Sequence, residues 1–302
     1  MATRTRLLTV VLAILVVAAS GTGVSAVPLM GWGDLTGRPL PTPARQIAYG
    51  TSPDQVVDLW LPEGQGPFPV VLMAHGGCWQ SDIANLTLMN YAAEDLRKRG
   101  IAVWNIEYRG IDRPGGGYPG TFQDVASAAD LLGRDGPGYH LRTDHVVAFG
   151  HSAGGHLVLW LAARARIPAG SVLKSAHPLP IAAVVSSGGL PDLEDIRPKG
   201  ICGADTVERL VGHPTASHPH IYADTSPAEL GVGHDRQQLI SGDQDPIAPP
   251  VLADAYAAEM KRKGATIGAV TIANTGHVEL IAPGTPAWAE TVRTIERLLR
   301  AP

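Results

Sequence analysis

Basic residues are not in excess in this chain, and that shortage closes off one class of partner. Lys and Arg number 24 against 28 Asp and Glu, a formal net charge of −4, without the clustered positive surface that nucleic acid or an anionic membrane requires. Cysteine is almost missing, since only Cys78 and Cys202 occur. Two cysteines without a close partner make no zinc site. They leave two readings open, a disulfide in an exported protein or two buried thiols. No internal repeat or low-complexity tract is present, which excludes a solenoid. No residue pattern sets an oligomeric state.

One long apolar run exists, and it lies at the start. Leu7 to Ala19 follows Arg4 and Arg6 and gives way to small residues ending in Val24-Ser25-Ala26. That order reads as a signal peptide over residues 1–26, cleaved after Ala26, and so as a secreted protein. Thirteen apolar residues span a bilayer poorly and no charged stop-transfer flank follows, so an uncleaved anchor is the weaker reading and stable membrane insertion is not expected after cleavage. Loss of two arginines and no acids moves the charge from −4 to −6. Residues 27–302 are then expected to form one domain, large enough to bury a core without staples.

Residues 27–55, rich in Pro and Gly, read as an irregular arm before a first strand near Val56–Trp60. Short apolar runs then alternate with helical patterns. Strands are expected at Val70–Ala74, Ile101–Ile106, His145–Phe149, Ile181–Ser186, Gln238–Ser241 and Thr266–Ile272. Helices are expected over Leu86–Arg99, from Thr121 as cap to Leu132, from Ser152 to Ala163, over Pro250–Lys263 and over Pro286–Arg300. This is an α/β pattern, a mostly parallel central sheet with helices on both faces. Residues 188–226 break the rhythm, and read as a small irregular cap with one helical piece near Thr206–Val211.

Gly150-His151-Ser152-Ala153-Gly154 follows the His145–Phe149 run directly, as strand, sharp turn and helix. Such an elbow exposes a serine oxygen. A serine hydroxyl is nearly inert at neutral pH and needs a base oriented by a carboxylate. Gly242-Asp243-Gln244-Asp245-Pro246 follows one strand run and Asn274-Thr275-Gly276-His277 follows the last. His277 is therefore the expected base. Asp245 is preferred to Asp243 as the acid, because the following proline fixes its loop. His75-Gly76-Gly77-Cys78-Trp79, after the Val70–Ala74 strand, supplies an oxyanion loop, with the N–H groups of Gly77, Cys78 and Ala153 as donors and Gly76 as the alternative. Cys78 lacks the elbow a nucleophile needs. Trp79, His151 and His156 read as packing residues, and His213, His218 and His220 lack the carboxylate or cysteine spacing of a metal site.

Taken together, the His75–Trp79 loop, Glu107-Tyr108-Arg109, the Tyr118–Val125 stretch, the elbow and Gly276-His277 resemble α/β-hydrolase-fold serine esterases. The resemblance is to the branch with kynurenine formamidases and feruloyl and acetyl-xylan esterase-like proteins, and it runs from Val56 to the end. Related lipases carry a third glycine where this chain has Cys78. The resemblance implies an α/β-hydrolase fold and hydrolysis through an acyl-enzyme, without metal or organic cofactor, of a small or carbohydrate-linked ester. An aryl formamide is the alternative substrate, and a non-catalytic binding protein on the same scaffold is the third reading. Aromatics are only 5% of residues, which argues against a long-chain lipase.

Overall fold

The computed structural model describes residues 28–231 and 236–300. The expected signal peptide, residues 1–26, lies outside them. Eight strands form one sheet among the described residues: β1 (Arg45–Ala48), β2 (Val56–Trp60), β3 (Phe68–Ala74), β4 (Ala102–Ile106), β5 (Leu141–His151), β6 (Ala183–Ser187), β7 (Arg236–Gly242) and β8 (Ile267–Ile272). The spatial order is β1-β2-β4-β3-β5-β6-β7-β8. β2 pairs antiparallel with both β1 and β4, and every pair from β4 to β8 is parallel.

The helices are α1 (Trp32–Thr36), α2 (Asn90–Lys98), α3 (Gly120–Asp135), α4 (Ala153–Ala163), α5 (Leu193–Ile196), α6 (Thr206–Val211), α7 (Pro227–Leu230), α8 (Pro250–Arg262) and α9 (Pro286–Arg300). Alternate residues of the buried strands feed opposite faces, as the two-residue strand period requires. Leu72, Trp104 and Ala148 pack with Phe122 of α3, Trp160 of α4 and Tyr256 of α8. Val71, Met73 and Phe149 pack on the other side with Leu96 of α2 and Trp288 and Ile295 of α9. No helix among the described residues is long and apolar enough to cross a membrane.

Three expectations need correction. The arm over 27–55 is not irregular throughout, because it holds α1 and β1. β1 is an edge strand whose residues are mostly exposed, so it carries no apolar alternation and its identity comes from pairing Arg45 with Leu59 and Ile47 with Val57. The helix expected over 86–99 opens as a 3₁₀ turn, Leu86–Met89, with the Asn85 side chain accepting from Thr87 N, before α2 begins. Thr121 does not cap α3. Pro119 holds the cap position, and the Thr121 hydroxyl instead accepts from Gly117 N (2.9 Å) and donates to Arg109 O (2.6 Å), tying the preceding loop to the helix.

Residues 188–226 follow β6 directly and contain α5 as well as α6, where the sequence suggested one helical piece near Thr206–Val211. Their apolar side chains, Leu193, Ile196, Val207 and Leu210, are buried in the same core as Phe122 and Trp160. The carboxyl ends of parallel strands are where open α/β sheets form their clefts.

Candidate active site

Ser152 stands between the end of β5 and the start of α4, with φ 55° and ψ −123°. That backbone position turns the chain sharply enough to bring α4 back over the sheet. Small neighbours are compulsory there. A Cβ at Gly150 would sit 2.1 Å from Gly154 O, and one at Gly154 would sit 2.2 Å from Ala74 O and 2.5 Å from His75 O. The elbow is held by Ser152 N donating to Ser187 O (3.0 Å), and the Ser152 carbonyl accepts the first amides of α4 from Gly155 (2.8 Å) and His156 (3.3 Å).

Asp245 and His277 come from the loops after β7 and β8, 32 residues apart in sequence. His277 Nδ1 lies 2.6 Å from Asp245 Oδ2, while Asp245 Oδ1 accepts from Ile247 N (2.8 Å) and Ala248 N (2.9 Å). Burial alone would raise the Asp245 carboxyl. The His277 hydrogen bond and charge, with the two amides, hold it below the usual carboxylate range instead. An ionised carboxylate only accepts, so Nδ1 carries the proton and Nε2 of the neutral ring is a free lone pair. Asp243 is exposed and accepts from Thr275 N (3.1 Å), which shapes the loop leading to His277.

Ser152 and His277 share the wall of one cavity of about 230 Å³. Among the described residues no hydrogen bond joins the two side chains, a common state of such pairs before substrate binds. Gly77 and Cys78 line the same cavity, as do Trp32, Ile83, Leu88 and Ile247, which make it mostly apolar. Ala153 is buried as the first residue of α4 and does not reach the cavity lining. Among the described residues the N–H groups of Gly77, Cys78 and Ala153 meet no protein acceptor. Those of Gly77 and Cys78, on the cavity wall, are therefore available to one that arrives with a substrate, while that of Ala153 lies directly after Ser152 in the chain.

The Glu107-Tyr108-Arg109 motif explains how the His75–Trp79 loop is supported. Glu107, at the end of β4, faces His75 Nε2 at 2.7 Å and accepts from Leu86 N (2.8 Å) and Tyr108 N (2.9 Å). Burial would raise the Glu107 carboxyl, and His75 together with these amides keeps it below its ordinary range. His75 Nδ1 faces Gly76 O at 2.6 Å, its ring stacks on Tyr108 at 4.3 Å, and the Tyr108 hydroxyl donates to His75 O at 2.9 Å. Arg109 in turn grips Asp124 of α3 with two nitrogens, at 2.7 and 2.8 Å. The motif was visible in the sequence, but the contact between strand end and loop was not.

Cys78 and Cys202 are joined as a disulfide, with Cα atoms 5.5 Å apart. Trp79 is fully buried. His151 is also buried, with Nε2 donating to His277 O at 3.0 Å and its ring 4.3 Å from that of His277. Burial, then the neighbouring His277, pushes the His151 ring well below the usual histidine range, so it packs as a neutral group. His213 faces Glu208 and His218 faces Asp224, each at 2.9 Å. Among the described residues no group of three or more His, Cys, Asp or Glu side chains could hold a metal ion.

Trp32 is the wall residue that the sequence did not disclose. It sits on α1, and its ring meets His277 and His151 edge-on at 6.1 and 6.2 Å. The arm that carries it is strapped down by Met30 N on Glu279 (2.5 Å), Arg38 on Pro283 O (2.9 Å) and the Tyr91 hydroxyl on Thr36 O and Arg38 O (3.3 and 3.2 Å). A tryptophan in a Pro- and Gly-rich arm was the only available hint.

The sheet order, the antiparallel β2 and the serine elbow after β5 define an α/β-hydrolase fold. The BD-FAE family model matches residues 57–260, and the chain belongs to that family. Among solved structures, a truncated carbohydrate esterase from gut microbiota superposes with TM-score 0.71 at 17% identity, covering 86% of this chain and 98% of the other. Esterase B from Lactobacillus rhamnosis gives 0.70 at 22% identity, covering 86% and 88%. Thermogutta terrifontis esterase 2, in a form phosphoramylated by tabun, gives 0.68 at 17% identity, covering 87% and 96%. These likenesses show the shared fold. No curated protein sequence matches the chain significantly.

Proposed function

We propose that this chain is a secreted serine hydrolase that cleaves carboxylic esters through an acyl-enzyme on Ser152. The observation that carries the reading is the Asp245–His277 hydrogen bond on one cavity with Ser152. Once substrate closes the gap, His277 Nε2 takes the Ser152 proton as Oγ attacks the ester carbonyl, and Asp245 stabilises the imidazolium that forms. The tetrahedral oxyanion meets the N–H groups of Gly77, Cys78 and Ala153, each worth about 2.7–4 kcal/mol where such donors have been removed. Collapse expels the alcohol, which takes the proton from His277. Water then attacks the acyl carbonyl as His277 takes its proton, and the bond to Ser152 breaks with that proton returned from His277 to Oγ and the acid released.

The likeness to a carbohydrate esterase and to esterase B supports an ester as the scissile group. The resemblance to kynurenine formamidases makes an N-formyl aryl amide the competing substrate, and the expected leader favours an extracellular ester over a metabolite made inside cells. A cavity of about 230 Å³ suits a short acyl chain or a small-molecule or sugar-linked ester with only its acyl group enclosed.

The test is labelling by a fluorophosphonate with peptide mapping, alongside rates on p-nitrophenyl acetate and N-formylkynurenine. The expected result is one adduct on Ser152, faster ester turnover, and loss of label and turnover in Ser152→Ala with thermal unfolding nearly unchanged. An adduct elsewhere, or wild-type turnover in Ser152→Ala, overturns the reading. A strong preference for the formamide replaces the ester.

A further inference from the structure

The loop after β3 places three consecutive residues in the left-handed region: Gly77 at φ 102°, Cys78 at 55° and Trp79 at 56°. Glycine accepts this without cost. Two L-residues in succession keep it only where their surroundings over-determine it. Trp79 meets that condition, since it is fully buried, its Nε1 donates to His156 Nδ1 at 3.2 Å, and its carbonyl accepts from Ile111 N at 2.7 Å. Cys78 does not. It is half-buried, and among the described residues neither its N–H nor its C=O meets a protein partner. What holds it is the covalent bond to Cys202.

Cys202, also in the left-handed region at φ 69°, is held from its own side. Its carbonyl accepts from the Thr206 hydroxyl at 2.8 Å, at the start of α6, and α6 buries Val207, Leu210 and Val211 in the core. Arg209 of α6 also donates to Ile111 O at 3.3 Å, the same residue whose N–H holds the Trp79 carbonyl. The sulfur bridge therefore transfers the rigidity of the 188–226 segment to one wall of the cavity. Both cysteines are half-buried and residues 203–205 are exposed, so a small thiol reaches the bond.

We infer that the Cys78–Cys202 disulfide is a positioning element of the ester-hydrolysing site, holding Cys78 in the cavity wall as an oxyanion donor, and that its reduction by a dithiol lowers turnover without unfolding the chain. The inference rests on the function proposed above. In the reduction a dithiol thiolate attacks one sulfur of the bridge, and its second thiol displaces the mixed disulfide. Two electrons and two protons pass to Cys78 and Cys202, and the dithiol becomes its own disulfide. The backbone at Cys78 is then free to leave the left-handed region, and its N–H leaves with it.

The experiment uses the oxidised full chain on p-nitrophenyl acetate, before and after dithiothreitol, with two thiols counted after reduction, and compares Cys202→Ser. Reduction is expected to lower kcat by about 10²-fold, as loss of an oxyanion donor does, while KM stays within about threefold. Far-ultraviolet circular dichroism should remain unchanged at the assay temperature. Reoxidation should restore the wild type, whereas Cys202→Ser should start low and ignore both reagents. An unchanged kcat at full reduction overturns the inference, and so does activity lost in step with ellipticity. Reduction of the wild type decides the matter even if Cys202→Ser fails to fold. Absence of ester turnover in the oxidised chain instead defeats the proposed function.

Discussion

Trp79 Nε1 donates to His156 Nδ1 at 3.2 Å, which ties the cavity loop to the helix that follows Ser152. The bond requires an unprotonated Nδ1, and the other ring nitrogen already donates to Thr225 O at 2.9 Å. The imidazole is completely buried, and that burial brings its pKa down from 6.5 to about 4. An unfolded chain binds this proton below pH 6.5, and the folded chain refuses it until about pH 4. Stability is therefore complete above pH 6.5 and declines as pH falls toward 4. The full loss amounts to about 3 kcal/mol. Gln at 156 can donate and accept without titrating. Urea unfolding at pH 7.5 and 4.5 should show a smaller acid loss in His156→Gln than in the wild type, and equal losses would refute the assignment.

Asp245 and Asp243 stand two residues apart with different work to do. Only Asp245 touches His277, while Asp243 accepts a backbone amide that an Asn oxygen would accept equally well. Asp245→Asn should lower kcat by about 10³–10⁴-fold, because the amide favours the wrong tautomer of His277. Asp243→Asn should stay within about fivefold of wild type, a surface substitution with its acceptor retained. Steady-state rates on one ester check both, and comparable losses would move the acid role.

Trp32 should set the size of the acyl group that the cavity admits. Trp32→Ala opens the wall beside His277, so the ratio of kcat/KM on p-nitrophenyl octanoate to that on the acetate should rise by about tenfold, the scale of a few methylenes of pocket contact. The acetate rate should fall through lost packing. An unaltered ratio would mean that the arm only covers the fold.

The sheet was legible because each buried strand is a short apolar run and the longer surface helices carry an apolar stripe, both patterns set by neighbours in sequence. Edge strand β1 was hidden for the same reason, since Arg45 and Gln46 face water and only pairing with β2 makes them a strand. Ser152 was marked by the glycines two positions either side, and the backbone oxygens that a Cβ would strike there show why. Asp245 stood out from Asp243 through Pro246, although the 2.6 Å contact with His277 is a fact of two loops meeting.

By itself the sequence determined what is local: the order of the buried strands and the longer helices, the elbow around Ser152, and the loops carrying Asp245 and His277. Only the tertiary structure decided what joins distant segments. It paired Cys78 with Cys202 across 124 residues, set Glu107 under His75, and brought Trp32 from the arm to the cavity wall. Local pattern reports how a residue is turned within its own element. Which elements touch depends on packing the two faces of one sheet, and that is a property of the whole chain.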